Sequence, residues 1–251
     1  MIFVVGTKRS GTSMWMQALV AAGFSPIGSA FPATWGDKLR RHNPRGFYES
    51  AFRLGVNVDS NPHPVTGAFL FPQDVKRHVV KVFPGGLVRS DYGYIDQVVA
   101  TIRDWRSYDQ SVRKLDADDR PGKERALPPW LEWWLENYAL IRDVALRQYP
   151  IVMTSYDAVL RDPAREIGHV VDWLGGDDRE AAIASVDPQL HRSTPVAEEE
   201  PHPEIAEVLD ALYTAIDRDR TVPPELIARM NATQVRIVTE NRALLEAAEE
   251  R

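Results

Sequence analysis

Short apolar runs alternate with longer segments of helical periodicity along this chain. The apolar runs are rich in β-branched residues and occupy residues 2–5, 78–83, 98–102 and 150–154. Such runs are typical of strands that are buried on both faces of a parallel sheet. The periodic segments predict helices over residues 12–22, 104–115, 130–148, 163–174, 178–186, 204–217 and 223–250. Strands that alternate with helices favour a three-layer α/β/α domain with a mostly parallel central sheet, followed by a long C-terminal helix.

Two segments depart from this alternation. Residues 25–75 are rich in Pro, Gly, Asn and His, and residues 116–129 are polar and contain prolines. Segments of this length without periodicity are more often functional than plain connections, so we expect both to shape a substrate pocket. We predict a single α/β domain over residues 1–220 and a helical arm over residues 221–251.

The charge is divided unevenly between the two halves of the chain. The 251 residues include 30 Lys+Arg, 36 Asp+Glu and no Cys, and the net charge is −6. Residues 1–114 hold 15 basic and 8 acidic residues, whereas residues 115–251 hold 15 and 28. A basic half in an acidic protein predicts an anion-binding cleft rather than a nucleic-acid surface. The lack of cysteine, of a secretory leader and of an apolar run near the roughly 18 residues that span a bilayer predicts a cytoplasmic protein.

The strongest chemical signal lies between the first strand and the first helix. Residues 6–13 read GTKRSGTS, a glycine-containing loop with two cations and several hydroxyl groups. A strand–loop–helix junction points backbone N–H groups and the positive end of the helix dipole at one spot. The loop therefore predicts a phosphate site. Its binding residues are Lys8, Arg9, Ser10, Gly11, Thr12 and Ser13.

This loop is not a Walker A motif, although it fits G-x-x-x-x-G. Thr12 stands where that motif has the lysine that reaches the β- and γ-phosphates of a nucleoside triphosphate. The cation comes earlier, at Lys8 or Arg9, and no Walker B aspartate follows a predicted strand. A short 5′ anion that is bound without a metal ion therefore fits better than a triphosphate with Mg²⁺.

Three sequence blocks, in order along the chain, resemble those of the PAPS-dependent sulfotransferases, whose sulfonate donor is 3′-phosphoadenosine 5′-phosphosulfate. Residues 9–13, RSGTS, match the family's 5′-phosphosulfate loop. Arg103 follows a predicted strand and Ser111 lies eight residues later, which is the spacing of the family's 3′-phosphate residues. Residues 156–163, YDAVLRDP, match a third block, whose Tyr156 is expected near the adenine. The resemblance implies the P-loop-like sulfotransferase fold and PAPS as the donor.

The resemblance also implies catalytic roles. Lys81 matches the family's lysine at the bridging region of the donor, and with Arg9 it would stabilise charge on the leaving phosphate. Phe83 stands where the cytosolic aryl and steroid members have their basic histidine. Residues 43–49, NPRGFYE, form a segment that is common in bacterial-type members. We expect Glu49, at the end of this segment and among aromatic residues, to be the general base.

Some assignments stay open. His42 and His63 lie in the same Pro-rich stretch as Glu49 and are alternative bases. The family's C-terminal Arg-Lys-Gly donor loop is missing, and Arg192, in the sequence His-Arg-Ser, is the candidate to replace it. The acceptor is expected to be a small molecule, a sugar or a lipid with a hydroxyl or amine.

Two other classes of function compete with this interpretation. A P-loop kinase of a small metabolite, using ATP–Mg²⁺, shares the strand–loop–helix junction but needs a Walker lysine. A non-catalytic binding protein would use the C-terminal helix, on which Met230, Ile237 and Leu244 are seven residues apart. Gln234 and Asn241 interrupt that pattern, so we expect a packed arm or a homodimer contact rather than a long coiled coil.

Overall fold

A parallel sheet forms the centre of the fold. The computed structural model describes residues 1–31, 43–63, 65–119, 121–122, 125–187 and 196–249. The strands of the sheet are β1 (Ile2–Val5), β2 (Ser25–Ile27), β3 (His78–Val82), β4 (Gln97–Ile102) and β5 (Ile151–Ser155). They lie in the order β2-β3-β1-β4-β5, and every neighbouring pair is parallel. The parallel central sheet that the sequence predicts is therefore confirmed.

Helices cover both faces of this sheet. They are α1 (Thr12–Ala21), α2 (Pro84–Arg89), α3 (Trp105–Asp119), α4 (Pro129–Arg147), α5 (Tyr156–Arg161), α6 (Pro163–Leu174), α7 (Arg179–Ala184), α8 (Pro203–Asp219), α9 (Pro224–Glu240) and α10 (Arg242–Glu249). Short 3₁₀ helices cover Ala51–Leu54, Pro72–Val75 and Tyr92–Tyr94. Each helix that the sequence predicts is present, and α2 and α5 are additional.

The predicted C-terminal helix is divided in two. We expected one helix over residues 223–250, but Asn241 separates α9 from α10. The Asn241 side chain donates a hydrogen bond to the Ile237 carbonyl at 3.0 Å, and such side-chain bonds compete with the helical backbone. Leu226, Met230 and Ile237 of α9 are buried in the core, so this helix packs against its own chain.

The alternation of side chains along β1 creates two hydrophobic cores. Phe3 and Val5 point to a core shared with α2, α3, α4, α8 and α9, which we call the α4 face. Ile2 and Val4 point to a second core, shared with α1, α5, α6 and α7, which we call the α1 face. Successive strand residues face opposite sides of a sheet, so apolar runs without alternation bury both faces. This arrangement is the predicted three-layer architecture.

Local sequence signals determine where the layers connect. Asp162 accepts a hydrogen bond from the Arg165 N–H at 3.0 Å and caps α6, with Pro163 at the first helical position. Gly175 ends the helix with a left-handed φ of 70°. The strand β2 lacks such a signal: it has three residues, includes Pro26 and pairs only with β3. Proline is tolerated there because β2 is an edge strand.

The order of the strands opens a crevice at their carboxyl ends. β1 lies between β3 and β4, so the connections that leave β1 and its neighbours diverge. In open parallel sheets, ligands bind in the crevice formed where connections diverge in this way. Residues 6–13 follow β1, Phe83 follows β3, Arg103 follows β4 and Tyr156 follows β5. The predicted binding residues are thus placed along one edge of the sheet.

Candidate active site

The loop after β1 packs so closely against its neighbours that Gly6 and Gly11 have no room for a side chain. A Cβ on Gly6 would lie 2.6 Å from the carbonyl oxygen of Thr101 on β4. A Cβ on Gly11 would lie 2.6 Å from the ring of Tyr156, and Gly11 has a φ of 100°. The loop is also held from within, because the Ser10 hydroxyl donates to the Thr7 carbonyl at 2.8 Å. Residues 6–13 therefore form a fixed turn against β4 and α5.

The start of α1 faces this turn without a capping side chain. Gly11 is the N-cap residue, and its left-handed backbone leads directly into Thr12. The first N–H groups of a helix have no intrahelical acceptors and carry partial positive charge. Thr12 and Ser13 add hydroxyl groups at this point, and both line the cavity described below. The helix start has the features of an anion site.

Arg9, Arg103 and Ser111 meet beside the loop. Arg9 Nε donates to Ser111 Oγ at 3.1 Å, and Arg103 Nη1 donates to the Arg9 carbonyl at 2.9 Å. The guanidinium of Arg103 lies 4.7 Å from the centre of the Tyr156 ring. Trp133 Nε1 donates to the Arg103 carbonyl at 2.9 Å. Arg103, at the end of β4, and Ser111, eight residues later on α3, therefore lie in one cluster with Arg9.

The two arginines of this cluster are buried cations. Burial lowers the pKa of Arg9, and the nearby charge of Arg103 lowers it further. Burial also lowers the pKa of Arg103, whose Nε is buried without a hydrogen-bond partner among the described residues. Tyr156, Asp157 and Asp104 oppose this lowering of the pKa, although Asp104 also accepts a hydrogen bond from the Ser107 N–H. A buried positive pair of this kind favours an anionic ligand.

A second cluster lies on the other side of β1. Lys81 Nζ forms an ion pair with Glu49 Oε1 at 2.5 Å and donates to the Phe47 carbonyl at 2.6 Å. It also donates to Ser13 Oγ at 3.3 Å, which links it to the phosphate loop. Burial lowers the pKa of Lys81, Glu49 opposes that effect, and Arg9 adds to it. The lysine is held between a carboxylate and the start of α1.

Glu49 has an environment that the sequence did not indicate. We expected aromatic residues around it, and an ammonium group lies beside it instead. Its second oxygen, Oε2, is buried and has no hydrogen-bond partner among the described residues. Arg45, four residues before Glu49, donates instead to the Ser185 carbonyl and pairs with Asp187. One carboxylate oxygen is therefore bound to Lys81, and the other remains available.

The segment that carries Glu49 is fixed by α1 and by the turn near β2. Gln17 Nε2 donates to the Asn43 side chain at 3.1 Å and to the Gly46 carbonyl at 3.0 Å. Phe47 N donates to the Ala30 carbonyl at 2.7 Å. These contacts hold residues 43–49 over the phosphate loop and give Glu49 its position.

The remaining predicted residues lie outside this arrangement. His42 and Arg192 fall outside the described residues. His63 Nδ1 accepts hydrogen bonds from the N–H groups of Val65 and Thr66, both at 3.2 Å, and the residue does not line the cavity. The imidazole of His63 thus stabilises a local turn.

One cavity of about 630 Å³ joins both clusters. Its lining includes every cation of the two clusters together with the exposed loop residue Lys8. Further lining residues were not singled out from the sequence: Met14, Gln17, Arg53, Leu54, Val112, Leu115, Asp116, Arg125, Ser185 and Asp187. None of them belongs to a motif, so burial and position alone identify them. Arg125 is paired with Asp116 and Glu132.

A buried carboxyl group next to the cavity was also missed. Burial raises the pKa of Glu136 on α4 to about 7, although Lys8 and Arg125 oppose the shift. Its Oε2 is buried without a hydrogen-bond partner in the described part of the chain. Glu136 lies three residues after the buried Trp133, so helical spacing was the signal that placed it toward the core.

Comparisons with known proteins add no argument to this description. No family profile and no curated protein matches this chain. A solved structure of a sulfotransferase from Alicyclobacillus acidocaldarius is 14% identical, with a TM-score of 0.38 over 92% of this chain and 94% of that chain. A similarity of this size does not bear on function. Among the described residues, no helix is long and apolar enough to cross a membrane, and no group of three or more His, Asp or Glu side chains is arranged to hold a metal ion.

Proposed function

We propose that this protein is a sulfotransferase that moves the sulfonate group of PAPS to a hydroxyl or amine of a small acceptor. The observation that carries the proposal is the meeting of two clusters in one cavity. Arg9 and Arg103 line the cavity on the β4 side of the loop, and Lys81 and Glu49 line it on the β3 side. Ser111 is buried beside Arg9, from which it accepts a hydrogen bond, and is not one of the lining residues. A donor with a phosphate at each end of a ribose needs two separate cationic sites.

The residues present fit such a donor. Residues 6–13 and the start of α1 would hold the 5′-phosphosulfate, because α1 begins at this loop without a capping side chain. Arg103 and Ser111 would hold the 3′-phosphate, and the buried Nε of Arg103 has no other partner in the described chain. The ring of Tyr156, stacked on Arg103, would lie beside the adenine. Each of these groups is already buried or fixed by hydrogen bonds.

The reaction requires a group that accepts a proton and groups that stabilise a growing negative charge. When bound, PAPS supplies the sulfonate, whose bond to the bridging 5′-phosphate oxygen breaks as a bond to the acceptor atom forms, leaving adenosine 3′,5′-bisphosphate. Lys81 and Arg9 are positioned to stabilise the negative charge on that phosphate. Glu49 Oε2 would take the proton of the acceptor, since Oε1 is engaged by Lys81 and Oε2 has no hydrogen-bond partner among the described residues.

Binding selectivity and metal dependence test this proposal. We expect the protein to bind adenosine 3′,5′-bisphosphate at least about tenfold more tightly than adenosine 5′-phosphate, because two charge-assisted contacts are added. Isothermal titration measures both affinities. Transfer of ³⁵S from labelled PAPS to a panel of alcohols, phenols and amines should persist in EDTA. Equal affinity for both nucleotides would contradict the assigned 3′-phosphate site, and ATP-dependent phosphorylation that EDTA abolishes would instead identify a nucleoside triphosphate kinase.

A further inference from the structure

The cavity extends to the α4 face of the sheet, beyond the groups that would hold the donor. Val112 and Leu115, on α3, continue past Ser111 along the same helix. Arg53 and Leu54 end the 3₁₀ helix Ala51–Leu54, whose Phe52 is buried in the core of the α4 face. We call the part of the cavity lined by Arg53, Leu54, Phe83, Val112 and Leu115 the distal subsite. It is apolar apart from one guanidinium.

The backbone of Arg53 is fixed relative to the catalytic lysine. Phe83 N, two residues beyond Lys81, donates to the Arg53 carbonyl at 3.0 Å. A Cβ on Gly86 would lie 2.7 Å from that same carbonyl, so α2 packs directly against it. The distal subsite is therefore built onto the end of β3, next to the Lys81–Glu49 pair.

The charge of Arg53 is not neutralised within the described chain. The residue is exposed, and none of the hydrogen bonds or ion pairs of the described residues involves its side chain. The other arginine on this side of the cavity, Arg125, is paired with Asp116 and Glu132. Arg53 also lies beyond the β3 side of the loop, away from the Arg103 cluster on β4. The donor phosphates have their own cations, so Arg53 is an additional one.

We propose that the distal subsite selects acceptors that carry a carboxylate on an apolar or aromatic body, with Arg53 binding the carboxylate. The inference rests on the proposed sulfonate transfer. The hydroxyl or amine of such an acceptor faces Glu49 and Lys81, loses its proton to Glu49 and gains the sulfonate, while the carboxylate stays unreacted on Arg53. The apolar body contacts Leu54, Phe83 and the α3 residues. A guanidinium provides two parallel N–H donors that match a carboxylate.

Matched pairs of acceptors test this inference. The probes are 4-hydroxyphenylacetate and 3-(4-hydroxyphenyl)propionate, each compared with its methyl ester, and kcat/KM is measured by ³⁵S transfer. We expect the acids to exceed their esters by at least about tenfold. Arg53→Gln should reduce that ratio to near one, chiefly through the KM of the acids, and Arg53→Lys should restore part of it. Arg142→Gln, which changes an exposed arginine on α4, should leave the ratio as in the unaltered protein.

The outcomes separate this inference from the proposed function. Binding of adenosine 3′,5′-bisphosphate to each variant shows that the fold and the donor site are intact. If the bisphosphate binds selectively but esters equal acids, or the ratio survives Arg53→Gln, the carboxylate assignment is wrong and the donor assignment stands. The carboxylate assignment is also wrong, and the donor assignment stands, if the bisphosphate binds selectively but no acid of the panel accepts sulfonate. If the bisphosphate does not bind selectively, the proposed function and this inference are both overturned.

Discussion

Replacing Arg103 by alanine isolates the site proposed for the 3′-phosphate. The side chain lies at the end of β4, is 5% exposed and has a buried Nε without a described partner. The hydrogen bond from Trp133 reaches the Arg103 carbonyl rather than its side chain, so the variant keeps this backbone anchor. The Arg103→Ala substitution therefore removes a charge and its donors while the strand end stays in place.

The structure sets the size of the expected effect. A hydrogen bond to a charged group contributes about 1.5–3 kcal/mol, which corresponds to a loss of about 10- to 100-fold in affinity. The desolvation cost of the guanidinium is already met in the unliganded protein, since burial alone lowers its pKa. Removing Arg103 also relieves the like charge that lowers the pKa of Arg9. The hydrogen bond from Arg103 Nη1 to the Arg9 carbonyl is lost at the same time, which opposes this gain in stability.

Titration calorimetry with two nucleotides measures this effect. Adenosine 3′,5′-bisphosphate should lose about 10- to 100-fold in affinity for the Arg103→Ala protein, whereas adenosine 5′-phosphate should change by less than about threefold. Arg142→Ala serves as the matched control, because it removes an exposed arginine far from any described partner. Equal losses for both nucleotides would show that Arg103 supports the loop in general and does not recognise a 3′-phosphate.

Three further substitutions have expected outcomes. Glu49→Gln should lower kcat at least about tenfold with little change in bisphosphate affinity, as the base makes no donor contact; full turnover in this variant and none in His63→Ala would reassign the base. Burial raises the pKa of Glu136 from its usual 4.5 to about 7. The stability linked to protonation of this group is therefore fully present below about pH 4.5 and is lost as the pH rises through 7. Glu136→Gln should therefore raise the unfolding free energy at pH 8 by up to about 3 kcal/mol and change it little at pH 5; a gain that is equal at both pH values would contradict the assigned pKa. Gly11→Ala should lower the free energy of unfolding, measured in urea, by about 2–4 kcal/mol, because the new Cβ would meet Tyr156. Gly67 also has a positive φ but has open space around it, so Gly67→Ala should lower it by about 1 kcal/mol. Equal losses would show that backbone strain alone decides both.

The features that the sequence predicts correctly are those encoded over short distances. The loop at residues 6–13 depends on glycines and hydroxyls within one strand–loop–helix junction. The relation of Arg103 to Ser111 depends on a strand end and two turns of one helix. The spacing along the chain was therefore sufficient to indicate them, although contacts with the distant residue Arg9 join Arg103 and Ser111 in one cluster.

The features that the sequence does not reveal depend on contacts between distant segments. Lys81 lies 32 positions after Glu49, beyond two short 3₁₀ helices, and contacts of the sheet and α1 bring the two side chains together. Arg53 belongs to no motif, and its place in the cavity follows from the packing of α2 against its carbonyl. Glu136 has the polarity of a surface residue, and the contact between α3 and α4 buries it. Periodicity predicts a face of a helix but not the electrostatic neighbours of that face.

The phosphate loop is part of a continuous series of hydrogen bonds that begins in the core. Trp133 donates to the Arg103 carbonyl, Arg103 donates to the Arg9 carbonyl, and the Thr101 hydroxyl donates to the Ser10 carbonyl at 3.0 Å. A loop that is immobilised before its ligand arrives loses little conformational entropy on binding. Nucleotide association is then governed by encounter and by water release from the cations, not by folding of the loop.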